Sequence, residues 1–565
     1  MSVIQKASLV LIPSGYKDSV LYSQVPNTTA GDFTFTRASS GTRVNSDGYI
    51  ETASVLGNEL VVNGDFASDT DWTKGTGVTI ANGVATSDGS GSNYGNIVYQ
   101  DTNVSFANKK VKINFDVLNY VSGKMRVSPG NSSVTSHVQA NGSYEFIVDV
   151  GVGTDIIYFI NYQTPFNGSI DNISVKEVAR SNVPRLDYTD SSCPTLLLEG
   201  QRTNELKYSE DYSQSYWRKD KLTATANSAT SPSGLTDAFL IQETTYTNSI
   251  PSFDLQNSNT LSAGTYTLSF YVKNNSGRYL GISFGSSGER VRTNFDFNTN
   301  TFKTLNLSGS TTGSASYTTL GDYYRISITA TFPSSIAVDN VLMPLETDTY
   351  PFFAFQDSDN RSFYLWGMQV EEGSYATSYI STSGTIVTRV KDFFEADSLG
   401  SIIGQTEGCI FIDFVYLDGE RFYIYDAANT ANGFLIYRSG TGYNLQVTTS
   451  GGGWAIANFI TGLTIGTRYK LAINYKLNDY KVYVNGSQIA TSTSIGVPTT
   501  NKISSWGLYG TTDFKNKINQ FMMFNQTLTD SELIELTGGT ATTYNWIDND
   551  SDEIITSDGD NLIFT

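Results

Sequence analysis

Phe363–Arg389 reads FYLWGMQVEEGSYATSYISTSGTIVTR, and its reading decides the fold. Phe363 to Met368 is a short run of aromatic and apolar residues bounded by turn formers. That pattern predicts a strand buried on both faces. Glu371-Glu372-Gly373-Ser374 then breaks it, because glycine after paired charges suits the turn at a sheet end. The Ser/Thr/Gly-rich run Ser381 to Gly384 reads as a connector. A doubled β-sandwich unit is expected before this stretch and a different module after it.

Working outward, the stretch closes the second copy of a repeat. Asn204-Glu205-Leu206 echoes Asn58-Glu59-Leu60, and Asp211-Tyr212 echoes Asp65-Phe66. Trp217-Arg218-Lys219 echoes Trp72-Thr73-Lys74. Asn82 follows Trp72 by ten residues and Asn227 follows Trp217 by the same ten. Within the first copy Val111, Ile113, Phe115 and Val117 alternate with polar residues. Tyr144, Phe146, Val148 and Val150 keep that spacing, as do Ile156, Tyr158, Ile160 and Tyr162. Such strands, separated by Gly/Asn/Ser turns, make antiparallel jelly-roll sandwiches. Trp72, Trp217 and Trp366 hold positions that suit a core role.

After the connector the pattern changes. Strands are expected at Cys409–Tyr416, Phe422–Tyr425, Gly433–Tyr437, Tyr469–Tyr475 and Tyr480–Asn485, with a hairpin at Asn485-Gly486. Thr529 with Glu532 forms a capping box that opens one short helix, and Gly538 ends it. The fold class is therefore all-β: tandem antiparallel jelly-roll β-sandwiches with one short C-terminal helix. The expected boundaries are 1–57, a docking segment continuing at 179–203; 58–178, an inserted jelly roll; 204–392, a second jelly roll and linker; 393–540, a third sandwich; and 541–565, an acidic tail. Residues 1–57 hold apolar strands but are too few for a core. They should dock on a neighbouring module, another subunit or another protein.

The chain has 55 acidic against 36 basic residues and a net charge of −19. Such a surface repels nucleic acid and anionic membranes, which argues against a direct role on either. No 18-residue apolar run exists to span a membrane. The N-terminal apolar run is too short for a signal peptide. Two distant cysteines, Cys193 and Cys409, give neither a disulfide framework nor zinc spacing, which fits assembly in a reducing cytoplasm.

For catalysis the sequence offers little. His137 is the one histidine, in a polar stretch, and no HExxH, GxSxG or Walker motif occurs. Glu371 and Glu372 are adjacent in a strand-end turn and should point apart, unlike a glycosidase pair. Asp413 or Asp418 with Glu420 is the remaining candidate acid pair. The expected answer is a non-enzyme. No cofactor is implied. Ca²⁺ would have to use the clusters Asp548-Asn549-Asp550 with Asp552, or Asp558-Gly559-Asp560, which miss EF-hand spacing and read as solvated turns.

For binding, aromatic rings are the flat partners that sugars need. Trp454 follows Gly451-Gly452-Gly453, a run that should expose it at a loop tip. Tyr443 and Trp506 are its weaker neighbours. These three are the candidate carbohydrate-binding residues.

Several of these stretches carry a resemblance. The closing run Phe363–Arg389, the run Phe33–Ser40 through Arg43-Val44-Asn45 and Gly48-Tyr49-Ile50-Glu51, and Val183–Tyr188 followed by Leu196–Asn204 resemble tailed-phage head-fibre and tail-fibre proteins with carbohydrate-binding-like modules. The likeness covers most of 7–57 and 179–392. In such proteins the Gly-Tyr-Ile-Glu run leads quickly into Pro-Arg-Leu-Asp-Tyr. Here 58–178 intervenes, so it reads as an insertion whose ends lie close together. The strands, Asn-Gly hairpin and terminal helix of 393–537 resemble a concanavalin A-like, laminin-G-type jelly roll.

The resemblance implies a bacteriophage virion surface protein, assembled in the host cytoplasm and displaying sandwich modules for attachment to host or environmental glycans. Its implied partners are glycans or a host surface and other virion proteins, with a homotrimer formed through the N-terminal segment. A purely structural capsid or tail component and a glycan-cleaving depolymerase are the alternatives.

Overall fold

The computed structural model describes residues 2–538 except 18, 27, 29, 131, 133–136, 152, 181–182, 257–258, 287, 346–356, 420, 430–431, 440–441, 450–451 and 505–514. Among the described residues strands dominate, they pair antiparallel, and one α-helix, Asp530–Gly538, is found. The all-β class follows from the residues: Tyr, Phe, Thr and Val alternate at period two between turns rich in Gly and Asn.

The chain divides into two compact units, and the division differs from the sequence boundaries. Unit 1 comprises 1–55, 180–202 and 389–565; unit 2 comprises 56–179 and 203–388.

Unit 1 is a two-sheet sandwich to which three separate pieces of chain contribute. The central strand Asn516–Phe524 pairs along one edge with Glu407–Tyr416. Its other edge takes Leu9–Leu11, with Leu9 opposite Met523, and Thr195–Leu198, with Leu196 opposite Ile518. In the facing sheet Phe33–Thr36 pairs with Phe393–Ala396, Phe394 opposite Phe35. One core unites them: Leu9, Leu11, Phe33, Phe35, Leu196 and Leu198 pack with Phe394, Ile410, Tyr475 and Phe521. Phe33 stacks on Phe394 with centroids 4.7 Å apart. The apolar strands of 1–57 are thus covered within their own chain.

The stretches that carry the fibre resemblance meet in a buried ion cluster of unit 1. Arg37 Nη1 donates to Asp392 Oδ1 at 2.8 Å, and Arg185 Nη1 donates to Glu199 Oε2 at 2.6 Å. Arg185 also pairs with Asp392, and Arg389 Nη1 lies 2.7 Å from Glu199 Oε2. The Glu199 amide donates to Asp392 Oδ2 at 2.8 Å. These side chains are fully or almost fully buried. Carbonyls take up part of the remaining donors, among them Ser39 O and Val183 O for Arg37 and Gly200 O for Arg389. Ions at such depth are tolerated only when paired and hydrogen-bonded in this way.

Unit 2 holds the two repeat copies. The second pairs Gly264–Ser276 with Tyr323–Phe332 and with Ser362–Glu372, the strand that opens the decisive stretch. Its residues are buried on both faces up to Glu371, while Glu372 is exposed, so the two carboxylates point apart. Gly367 takes φ +61° where the register shifts, a bulge that a side chain would strain. The repeat extends to single hydrogen bonds. Trp72 Nε1 donates to Asn63 O and Trp217 Nε1 donates to Tyr208 O, nine residues back in each case. Asn82 and Asn227 are both left-handed, with φ 55° and 52°. All three core tryptophans are buried.

The ends of the first copy lie side by side: a Cβ on Gly57 would stand 3.5 Å from Glu177 Cβ. The second copy also begins and ends in paired chain. Arg202–Asn204 pairs with Val387–Arg389, and the Thr203 and Thr388 hydroxyls lie 2.8 Å apart. Both copies are therefore inserted into the chain of unit 1.

Candidate functional site

Of the three residues expected to bind sugar, Tyr443 is placed in the core, 1 % exposed, and its hydroxyl donates to Gly419 O at 2.9 Å. A ring packed against Phe414 and Tyr416 has no free face for a ligand. The glycine run does not form a loop tip around Trp454. Gly452–Thr461 is a strand, and Trp454 pairs through its backbone with Val447. The glycines suit a close approach, since a Cβ on Gly453 would stand 3.3 Å from Thr448 Cγ2. Trp506, Glu420 and the acidic clusters of 541–565 lie outside the described residues. Asp413 is clamped by Arg468 at 2.7 Å through both oxygens, and Asp418 pairs with Arg438. Those two carboxylates are structural partners of arginine. Among the described residues no three His, Cys, Asp or Glu side chains gather as for a metal, and no helix is long and apolar enough to cross a membrane.

The structure instead builds an aromatic face on the first inserted module. Its four-stranded sheet runs in the order Met125–Pro129, Ile156–Asn161, Asn96–Asp101, Thr73–Lys74. Along Ile156–Asn161 the inward set is Ile157, Phe159 and Asn161; Ile156, Tyr158 and Ile160 point the other way. This reverses the side expected from spacing. Both sets are apolar, so period two alone cannot say which one faces the core. Ile157 and Phe159 belong to the core cluster around Trp72 and Phe115.

On the outer face Tyr99 packs beside Tyr158, centroids 5.6 Å apart, where the two strands pair. At its end Tyr162 is the hub. Tyr94 meets it edge-on at 5.6 Å, His137 stacks on it at 3.9 Å, and the Arg126 guanidinium stands 5.2 Å from its centroid. Tyr94 is 57 % exposed. It sits in the run Gly89-Ser90-Gly91-Ser92-Asn93-Tyr94-Gly95 with a left-handed φ of 65°, and Gln163 beside Tyr162 has φ 62°. Bulky residues avoid that region at a cost of about 1–3 kcal/mol, and such strain concentrates at ligand sites. The same loop borders a groove of about 280 Å³ lined by Lys74, Gly75, Gly91, Ser92, Asn96 and Tyr99.

Charge distinguishes this face within an acidic protein. Partial burial, then the nearby Lys124 and Arg126, push the His137 pKa below its ordinary value. An imidazole held neutral between cations offers a hydrogen bond rather than a charge. Arg126 Nε is buried without a hydrogen-bond partner. The face thus offers one exposed tyrosine ring among half-buried ones, a polar groove and cationic donors, a combination that suits a saccharide. The sequence did carry one signal for it. Tyr94 is a lone aromatic in a glycine-rich turn, the argument that had been applied to Trp454.

Residues 415–534, within unit 1, match the Laminin_G_3 family, described as the concanavalin A-like lectin/glucanases superfamily. No curated protein sequence matches the chain. Among solved structures the chain is similar to the Ruminococcus gnavus IT-sialidase CBM40, at 16 % identity over 25 % of this chain and 91 % of that one, with a TM-score of 0.22. It is also similar to domain 4 of AbnA, a GH43 extracellular arabinanase from Geobacillus stearothermophilus, at 15 % identity over 29 % and 82 %, with a TM-score of 0.23. The N-terminal CBM22-1-CBM22-2 tandem domain of Paenibacillus barcinonensis Xyn10C matches at 12 % identity over 57 % and 98 %, with a TM-score of 0.21. The residues that match this family lie in unit 1, and the two inserted sandwiches form unit 2.

Proposed function

We propose that this chain is a non-enzymatic attachment protein of a bacteriophage virion surface, a head fibre, tail fibre or decoration protein, whose first inserted module binds glycans. The observation that carries the binding reading is the exposed Tyr94 ring on the half-buried Tyr162, beside the groove at Tyr99. Sugar rings stack on such tyrosines, and polar groups at the groove rim fix their orientation. The virion placement is supported by the fibre-protein resemblance alone. Its motif residues Arg37, Arg185, Glu199 and Arg389 meet in the buried ion cluster of unit 1. The net charge of −19 suits a protein displayed in many copies. Partners in this reading are host or environmental glycans and other virion proteins. A homotrimer belongs to the same resemblance, and light scattering at micromolar concentration tests it.

Adsorption of the purified protein to host cells or immobilised glycans tests the binding reading. Tyr94→Ala and Tyr162→Ala should each weaken adsorption several-fold, about 0.5–1.5 kcal/mol per stacking contact, with the melting temperature nearly unchanged. Unchanged adsorption in the double variant contradicts the site. Release of reducing ends from a capsular polysaccharide would replace the non-enzymatic reading with a depolymerase.

A further inference from the structure

We infer that the Tyr94–Tyr162 end of this face is a subsite for the anionic group of an acidic saccharide, received by Arg126 with Lys124 and His137 beside it. The inference rests on the glycan-attachment reading and narrows its ligand class. Three observations lead to it.

The first is an uncommitted cation. In a chain with 55 acidic and 36 basic residues, an arginine near the surface usually finds a carboxylate. On the described parts of unit 2, Arg218, Arg278, Arg290 and Arg361 each do so. Arg325 and Arg126 each take a tyrosine ring instead, with Nε buried without an acceptor, but Arg325 also donates to Thr377 O. A buried donor left unsatisfied costs about 1–3 kcal/mol. A guanidinium fork is the side chain that matches a carboxylate with two parallel hydrogen bonds.

The second is the local field. Among the described residues the charges acting on His137 are those of Lys124 and Arg126, both positive. An arriving anion is attracted by this pair and favours a proton on the imidazole, which then becomes a third donor.

The third is the placement of the rings. His137 and Arg126 both lie against Tyr162, and the exposed ring of Tyr94 stands edge-on beside them. A sugar ring stacked on Tyr94 carries its acidic substituent toward the cations. A free inorganic anion would gain nothing from the tyrosines.

The test is an array of uronate- and sialate-containing oligosaccharides, each beside its carboxyl-reduced neutral counterpart, probed with the full chain. The wild type should bind at least one acidic member roughly tenfold more tightly than its reduced partner, the effect expected of a charge-assisted hydrogen-bond pair. Arg126→Gln should abolish that preference while weak binding to the neutral form persists, and Tyr162→Ala should weaken both. If Arg126→Gln lowers the melting temperature, Lys124→Gln serves instead and should reduce the preference in the folded protein. Equal binding to acidic and reduced forms overturns the inference and leaves glycan attachment standing. So does an acidic preference that survives both cation variants. Silence across the whole array removes the glycan reading and the inference together.

Discussion

Single residues decide how charge is stored in this molecule. In unit 1 Asp392 accepts from Arg37, Arg185 and the Glu199 amide, all deeply buried. Asp392→Ala leaves two arginines facing no charge at that position, a loss of about 3–5 kcal/mol for breaking a buried pair. The expected readout is a large drop in the melting temperature of unit 1, and a change of only a degree or two would contradict the cluster's role. In unit 2 burial, then the charge of Glu210, pushes the Asp237 carboxyl up to about 7, against hydrogen bonds from Ser231, Trp366 and Ser233. A carboxyl raised above its unfolded value binds its proton more tightly in the folded state. Its contribution is full below pH 4 and is lost as pH rises through 7. Unit 2 should therefore melt lower at pH 8 than at pH 5, and Asp237→Asn should flatten that slope. A wild-type melting temperature that rises over this range would contradict the assignment. The roles of Trp72 and Trp217 were legible because a repeat fixes equivalent positions. Those of Tyr443 and Trp454 were not, since a glycine run and a tyrosine look alike at a loop tip and in a paired strand.

At the scale of elements, most strands of the inserted modules and the terminal helix were legible from local signals. Val111–Val117 is buried at alternate positions as its pattern requires. The helix opens as the capping box predicts: the Thr529 amide donates to Glu532 Oε2 at 3.0 Å, and the Glu532 amide donates to Thr529 Oγ1 at 3.4 Å. Sheet partners across hundreds of residues were not legible, because hydrophobic period fixes a strand's faces but not its neighbours. Leu9–Leu11 alone could dock on any apolar edge; here it takes the free edge of Asn516–Phe524. Leu11 is fully buried in the unit 1 core, so Leu11→Ala should cost about 2–5 kcal/mol. The melting transition of unit 1 should fall while that of unit 2 stays in place. A shift confined to unit 2, or none, would show that the segment is not part of this core.

At the scale of the whole molecule, the chain is one sandwich unit interrupted twice. It leaves unit 1 near residue 56, returns near 179, leaves again at 203 and returns at 388. Insertion is tolerated where the two crossing points are neighbours, since closing the gap then needs little chain. Gly57 beside Glu177 meets that condition. A scaffold able to fold without it carries the recognition face as an inserted module. Calorimetry and adsorption to the same glycan surface or host cells compare the full chain with a version lacking 58–178. The melting transition of unit 1 should be retained and adsorption should fall to background. A shortened chain that adsorbs as strongly as the full one would place recognition elsewhere, and one that loses the unit 1 transition would contradict the insertion.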